Sequence, residues 1–206
     1  MEPLTVAILT IYAVCLWGYH YLYFFLTERK GMITQRNKIN EAILSWFENS
    51  LREGDHLLVI HQLRNVIMSV TFLATTVVLL LGIVFGLNPS LLSGPLAPVP
   101  LQIESYALWL MVLTLIYSFV SFLLCLRHFT RITFLIRSSK DKLESISGEK
   151  AEVYLADLFV RGNKEYTLGR RSMLYGIIAL TWLLSWWVFL ILVIGMTVLF
   201  IASYDF

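Results

Sequence analysis

All sixteen lysines and arginines of this 206-residue chain fall in two stretches. Arg29, Lys30, Arg36, Lys38, Arg52 and Arg64 occupy the first; Arg127, Arg131, Arg137, Lys140, Lys142, Lys150, Arg161, Lys164, Arg170 and Arg171 occupy the second. Around them lie four apolar runs, at about 4–26, 66–87, 106–126 and 172–203. A membrane-crossing helix needs about 20 predominantly apolar residues, and each run meets that length. Cytoplasmic loops retain an excess of lysine and arginine, so segments 27–65 and 127–171 are expected in the cytoplasm. Both termini and the loop 88–105 then face the other side. Four crossings satisfy this pattern and an odd number does not.

Composition agrees. Hydrophobic residues make up 58% of the chain, and mean hydropathy is +0.73. Charged residues are 15%, against about 25% in soluble domains. The expected class is an all-α, polytopic membrane protein, with four transmembrane helices, short amphipathic cytoplasmic helices and one membrane domain over 1–206. The N-terminal run has no positive n-region and is longer than a signal-peptide core, so it reads as a retained span in an inner or plasma membrane.

The fourth run exceeds one bilayer crossing and must tilt, project or break. Gly176 and Gly195 are its weak points, although neither compels a break. In the loop 88–105, Pro89, Pro95, Pro98 and Pro100 favour turns and extended chain.

In the first basic segment, Ile39, Ala42, Ile43, Trp46, Phe47 and Leu51 recur at helical spacing opposite Lys38, Glu41, Glu48 and Arg52. This predicts an amphipathic helix closed by Gly54. Trp46 and Phe47 suit either the headgroup region or packing against other cytoplasmic helices. Asp55 is a good N-cap for a helix running unbroken into the second span. The third span should continue through Arg127–Arg137, and a short helix around Val153–Leu158 should end at Gly162.

His20 lies about six residues before the cytoplasmic end of the first span, roughly 9 Å deep. The second span enters from the same side carrying His61, Gln62, Asn65, Ser69 and Thr76. Lipid exposure of such a stripe is costly, so it should face protein or water. One reading is helix–helix glue, with His20 bonded to Asn65 or a neighbour. The other is a polar cytoplasmic vestibule of His20, His61, Gln62, Arg64, Asn65, Ser69, Arg170 and Arg171. Its arginines would serve as topology anchors, bind anionic lipid headgroups, or draw anions to the rim.

The stretches "GYH" at 18–20, "HQLRNVIMSVTFLATT" at 61–76 and "YTLGRR" at 166–171 resemble the membrane-protein family known as domain of unknown function 599. The best block is Gln62–Asn65. The resemblance implies a membrane protein and supplies no activity; the fourth run lacks the prolines that it implies for a shared helix kink.

Reactive chemistry is sparse. All fourteen acidic residues lie outside the four runs, which disfavours a midplane carboxylate pump or hydrolase. His56 and His61 are five apart, so on one helix they point about 140° apart and make a poor metal pair. Cys15 and Cys125 read as small buried hydrophobes. No phosphate-binding, serine-hydrolase, zinc or redox motif occurs. No cofactor is expected, and an interfacial enzyme using His20, His56 or His61 ranks last among the readings, because no general base is paired with a recognisable nucleophile. Basic residues are interleaved with acidic ones, so nucleic acid is not an expected partner. The leading expectation is a homo-oligomeric channel or transporter subunit. The alternative is a non-transporting scaffold binding a partner or anionic lipid through its cytoplasmic helices.

Overall fold

The computed structural model describes residues 3–19, 21, 25, 35–87 and 102–202, and all of its elements are helical. Helix α1 is Pro3–Ala13, continued by a π turn over Val14–Gly18. Helix α2 is Gln35–Glu53, α3 His56–Leu87, α4 Gln102–Leu135, α5 Lys140–Ser147, α6 Ala151–Ala179 and α7 Trp186–Phe200. Two helical stretches, His56–Gly86 and Ala107–Leu135, are long and apolar enough to cross a membrane. Pro3–Gly18 and Trp186–Phe200 are shorter apolar helices.

The chain divides into two packing units. The first comprises Met1–Gln35, Val77–Tyr117 and Arg171–Phe206; the second comprises Arg36–Thr76 and Ser118–Arg170. Among the described residues of the first unit, Arg171 is the only lysine or arginine. The remaining described basic residues belong to the second.

Several boundaries follow local chemistry. Helix α2 closes at Gly54, whose φ of 76° suits a residue without Cβ. The Val59 amide donates to the Asp55 carbonyl at 3.3 Å, starting α3. Helix α4 continues through Arg127 and Arg131 as the sequence predicts. Gly148, at φ 74°, caps α5 by donating its amide to the Glu144 carbonyl at 2.9 Å. Lys140 and Glu152 pair at 2.9 Å between α5 and α6. Such an exposed pair contributes about 0–1 kcal/mol.

One sequence expectation requires correction. Gly162 does not end a helix: α6 runs unbroken from Ala151 to Ala179. A Cβ at Gly162 would meet the Phe129 ring at 2.6 Å, and one at Gly169 would meet Phe122 at 2.8 Å. These glycines admit aromatic rings of α4 against the α6 backbone. In the first unit Gly176 does the same for Leu115, at 2.9 Å. The three glycines are seven residues apart, and so are their partners on α4, counted in the opposite direction. Small residues that let helices approach closely are the usual means of packing in membranes.

Of the three outcomes that its length allows, the fourth apolar run takes the break, at neither Gly176 nor Gly195. It tightens into a 3₁₀ turn over Leu180–Leu183 and restarts after Ser185, whose φ and ψ of −164° and 132° are extended. The Thr181 hydroxyl donates to the Ile178 carbonyl at 2.7 Å, and the Leu184 and Ser185 amides both donate to the Thr181 carbonyl. Hydroxyl and backbone together satisfy a local turn in place of the next helical one. Trp182 and Trp186 therefore lie on opposite sides of a break and share no helix face. Trp182 stacks on Phe189 at 5.2 Å, whereas Trp186 stacks on Trp187 at 3.8 Å.

Of the two settings open to Trp46 and Phe47, the structure shows packing: Phe47 is fully buried and sits edge-on to Phe159 at 6.0 Å, with Trp46 beside both. Helix packing, not the headgroup region, takes this part of the α2 face.

Candidate functional site

Helix α3 presents a narrow packed seam. Leu63, Val70, Val77 and Val84, seven residues apart, are its deeply buried side chains together with Val59 and Ala74. Only 17% of its most apolar window is buried, against 50% for α4. His61, Gln62, Arg64, Asn65 and Ser69 are all exposed on the open faces, within the second unit. The structure thus gathers five of the predicted residues onto one helix surface and turns them outward.

The hydroxyls on that surface satisfy themselves. Ser69 donates to the Asn65 carbonyl at 3.1 Å, Thr71 to Ile67 at 2.8 Å, Thr75 to Thr71 at 2.9 Å and Thr76 to Phe72 at 2.9 Å. The Gln62 and Asn65 amides make no side-chain hydrogen bond among the described residues. Each carries two donors and an acceptor, so the outer face of α3 retains capacity for water, headgroups or another chain.

The two adjacent arginines separate. Arg170, in the second unit, is half-buried, with its guanidinium 5.8 Å from the Tyr166 ring centroid. Arg171, in the first, is 2% exposed and stands 4.8 Å over Phe200. It is one helical turn from Tyr175, whose hydroxyl meets Thr197 at 2.6 Å. Tyr175 lies edge-on to Tyr12 at 5.9 Å, and the Tyr12 hydroxyl meets Thr114 at 3.0 Å. Tyr12 also stacks on Phe189. Among the described residues, the interior of the first unit therefore holds stacked aromatic rings, and the hydroxyls of Tyr12 and Tyr175 are both paired. His20 lies outside the described residues.

Sequence reasoning did not identify these tyrosine–threonine pairs. The available signal was Thr114, Ser118 and Ser121 along one apolar helix, at spacings that return to the same side. All three are buried, and Ser118 donates to the Gly169 carbonyl at 2.7 Å.

A shallow groove of about 520 Å³ runs along α1 and the π turn, lined by Val6, Leu9, Thr10, Ala13, Val14 and Gly18. It contains no ionisable group. Among the described residues no cluster of histidine, cysteine, aspartate and glutamate could hold a metal ion.

Glu165 on α6 is partly buried. Burial pushes its carboxyl above the ordinary 4.5, and Lys164 pulls in the opposite direction. A raised carboxylate pKa means that the folded chain holds the proton more tightly than the unfolded chain. The contribution of Glu165 to stability therefore falls as pH rises from the ordinary carboxylate range through its folded pKa. Glu165→Gln should melt higher than wild type near neutral pH, and the difference should close on acidification. Parallel melts across pH in one detergent provide the check; a constant difference would show that ionisation at Glu165 is not the cause.

A family profile described as "Protein of unknown function, DUF599" matches residues 7–206. No curated protein and no solved structure matches the chain.

Proposed function

We propose, from the premise that the chain belongs to the DUF599 family, that it is a four-span membrane protein whose copies associate and conduct a small solute between subunits. The observation that carries this reading is the outward placement of Gln62, Asn65 and Ser69 on the sparsely covered helix α3. Amides on a bilayer-entering surface are costly against lipid and cheap against water or a partner amide. Since the described interior of the first unit is packed with aromatic rings, a polar path is better sought between protomers than within one. In the proposed topology both basic segments face the cytoplasm, where Arg64 and Arg170 meet anionic headgroups or draw anions towards the mouth.

Cysteine substitution at Asn65 tests the association. In native membranes Asn65→Cys should give a disulfide-linked dimer on mild oxidation, while a cysteine at buried Leu63 should not. Proteoliposomes should pass a small anion or neutral solute, and Asn65→Leu should lower that flux several-fold. Monomer alone, or flux untouched by Asn65→Leu, would overturn the reading.

One observation favours a second reading, a non-transporting scaffold. The packed α2–α6 contact of Phe47 with Phe159 makes a helical layer able to present a surface without any conduit. A stable partner recovered from membranes, together with no flux for a broad solute panel, would select it.

A further inference from the structure

We propose that the Arg127–Arg131 turn of α4 and the Arg161 turn of α6 form a binding site for a phosphate group, with His128 at its centre. Arg127 and Arg131 are four apart on α4 and share a face; both are exposed. Helix α6 meets α4 at this level, because Gly162 admits the Phe129 ring, and Phe129 also packs on Phe159 at 5.2 Å. That contact places Arg161 beside the turn that carries His128. Arg161 Nε is held by Asp157 Oδ2 at 2.7 Å, one turn earlier on α6. Burial, and after it the charges of Arg131, Arg161 and Arg127, hold the His128 imidazole below the ordinary 6.5, with Asp157 opposing them. Three guanidinium groups against one carboxylate leave a net positive field at a half-buried imidazole.

His128 supplies the second observation. Its Nδ1 is enclosed and makes no hydrogen bond among the described residues. An enclosed imidazole nitrogen without a partner is a polar cost. A half-turn of the ring exchanges nitrogen for carbon with little change of shape, so either nitrogen can be presented. An anion among the arginines would stabilise imidazolium, and the ring would then donate to it. Guanidinium forks match the oxygens of phosphate, and the cluster follows directly on the third apolar run. The shared chemistry is a phosphate mono- or diester, supplied by an anionic lipid headgroup or by a free phosphorylated solute. This site is separate from the outer face of α3 and does not depend on the conduction reading.

The test uses the full chain in a zwitterionic detergent, titrated with short-chain phosphatidylglycerol, with the phosphatidylcholine analogue, and with inorganic phosphate. Phosphatidylglycerol should bind, and the double variant Arg131→Gln, Arg161→Gln should weaken it tenfold or more. Arg137→Gln, which removes a nearby exposed charge outside the cluster, should change it less than twofold. Affinity should rise from about pH 8 to about pH 6, and His128→Gln should flatten that profile. Inorganic phosphate binding with the same arginine dependence would assign a free phosphate source; phosphatidylglycerol binding without it would assign the lipid. If the double variant does not fold, Arg131→Gln alone, at an exposed side chain, gives the same reading at lower amplitude. Equal losses for Arg137→Gln and Arg131→Gln would overturn the proposal in favour of diffuse attraction, as would equal binding of both lipids.

Discussion

Gly169→Leu should prevent the chain from holding its native packing. The Cβ alone would stand 2.8 Å from two atoms of the Phe122 ring, which is fully buried and cannot swing aside. Overpacking of this kind costs about 1–3 kcal/mol, and more when backbone must move. Separating the helices also strains the 2.7 Å bond from Ser118 to the Gly169 carbonyl, and a buried hydroxyl left without its acceptor costs about 1–3 kcal/mol. Better helix propensity returns only about 1 kcal/mol. The expected net loss is about 2–4 kcal/mol, visible as a lowered melting midpoint in detergent and poor recovery from membranes. Phe122→Ala alone should cost about 3–5 kcal/mol through the cavity it leaves. The two together should be less damaging than their sum, because the new leucine occupies the vacated ring space. Strict additivity, or a Gly169→Leu protein that melts like wild type, would show that the two residues do not touch as described.

Arg171→Glu should be comparably severe, and Arg171→Lys mild. At 2% exposure, Arg171 is deeply buried in a unit where no other described lysine or arginine exists. Its guanidinium lies 4.8 Å over the Phe200 ring, whose face carries negative charge density. Glutamate would put an anion over that face and leave it uncompensated, at about 3–5 kcal/mol. Lysine keeps the charge and loses the planar stacking group, at about 1–2 kcal/mol. Phe200→Leu should narrow the difference between arginine and lysine, since the ring face favours the planar guanidinium. Melting midpoints of the four proteins decide it: an Arg–Lys difference unaffected by Phe200→Leu would remove the ring from the account. Arg171→Glu deletes only one of many charges in its basic segment, so its damage should register in stability and leave topology intact.

The helical elements were largely legible because their signals are local. Ile43, Phe47 and Leu51 mark the inward side of α2 by spacing alone, and Gly54 ends it where an open Cα is needed. Asp55 announces α3, and the apolar positions past Leu126 carry α4 onward. Gly162 misleads because a glycine after an apolar stretch looks the same in sequence whether it caps a helix or admits a neighbour's ring. Only Phe129, thirty-three positions earlier, distinguishes the two. The length of the fourth run allows a break, but its place after Leu183 is unmarked for a similar reason: Thr181 and Ser185 are tolerated inside helices, and no proline marks the site.

The candidate site was legible in kind and not in direction. His61, Gln62, Asn65 and Ser69 declare a polar helix surface by spacing, yet periodicity is silent on whether that surface points into a bundle or away from it. Direction depends on which side of α3 the valine and leucine seam finds a partner.

Sequence alone determined the helical class, the apolar runs, the segregation of positive charge and the family, because each depends on residue type and short-range spacing. Tertiary structure alone decided that α6 passes straight through its glycines, that Arg171 is enclosed while Arg170 is not, and that Phe47 is packed and Asn65 exposed. Those outcomes are set by which distant side chain arrives within a few ångströms. Contact between residues tens of positions apart is a property of packing that no local pattern encodes.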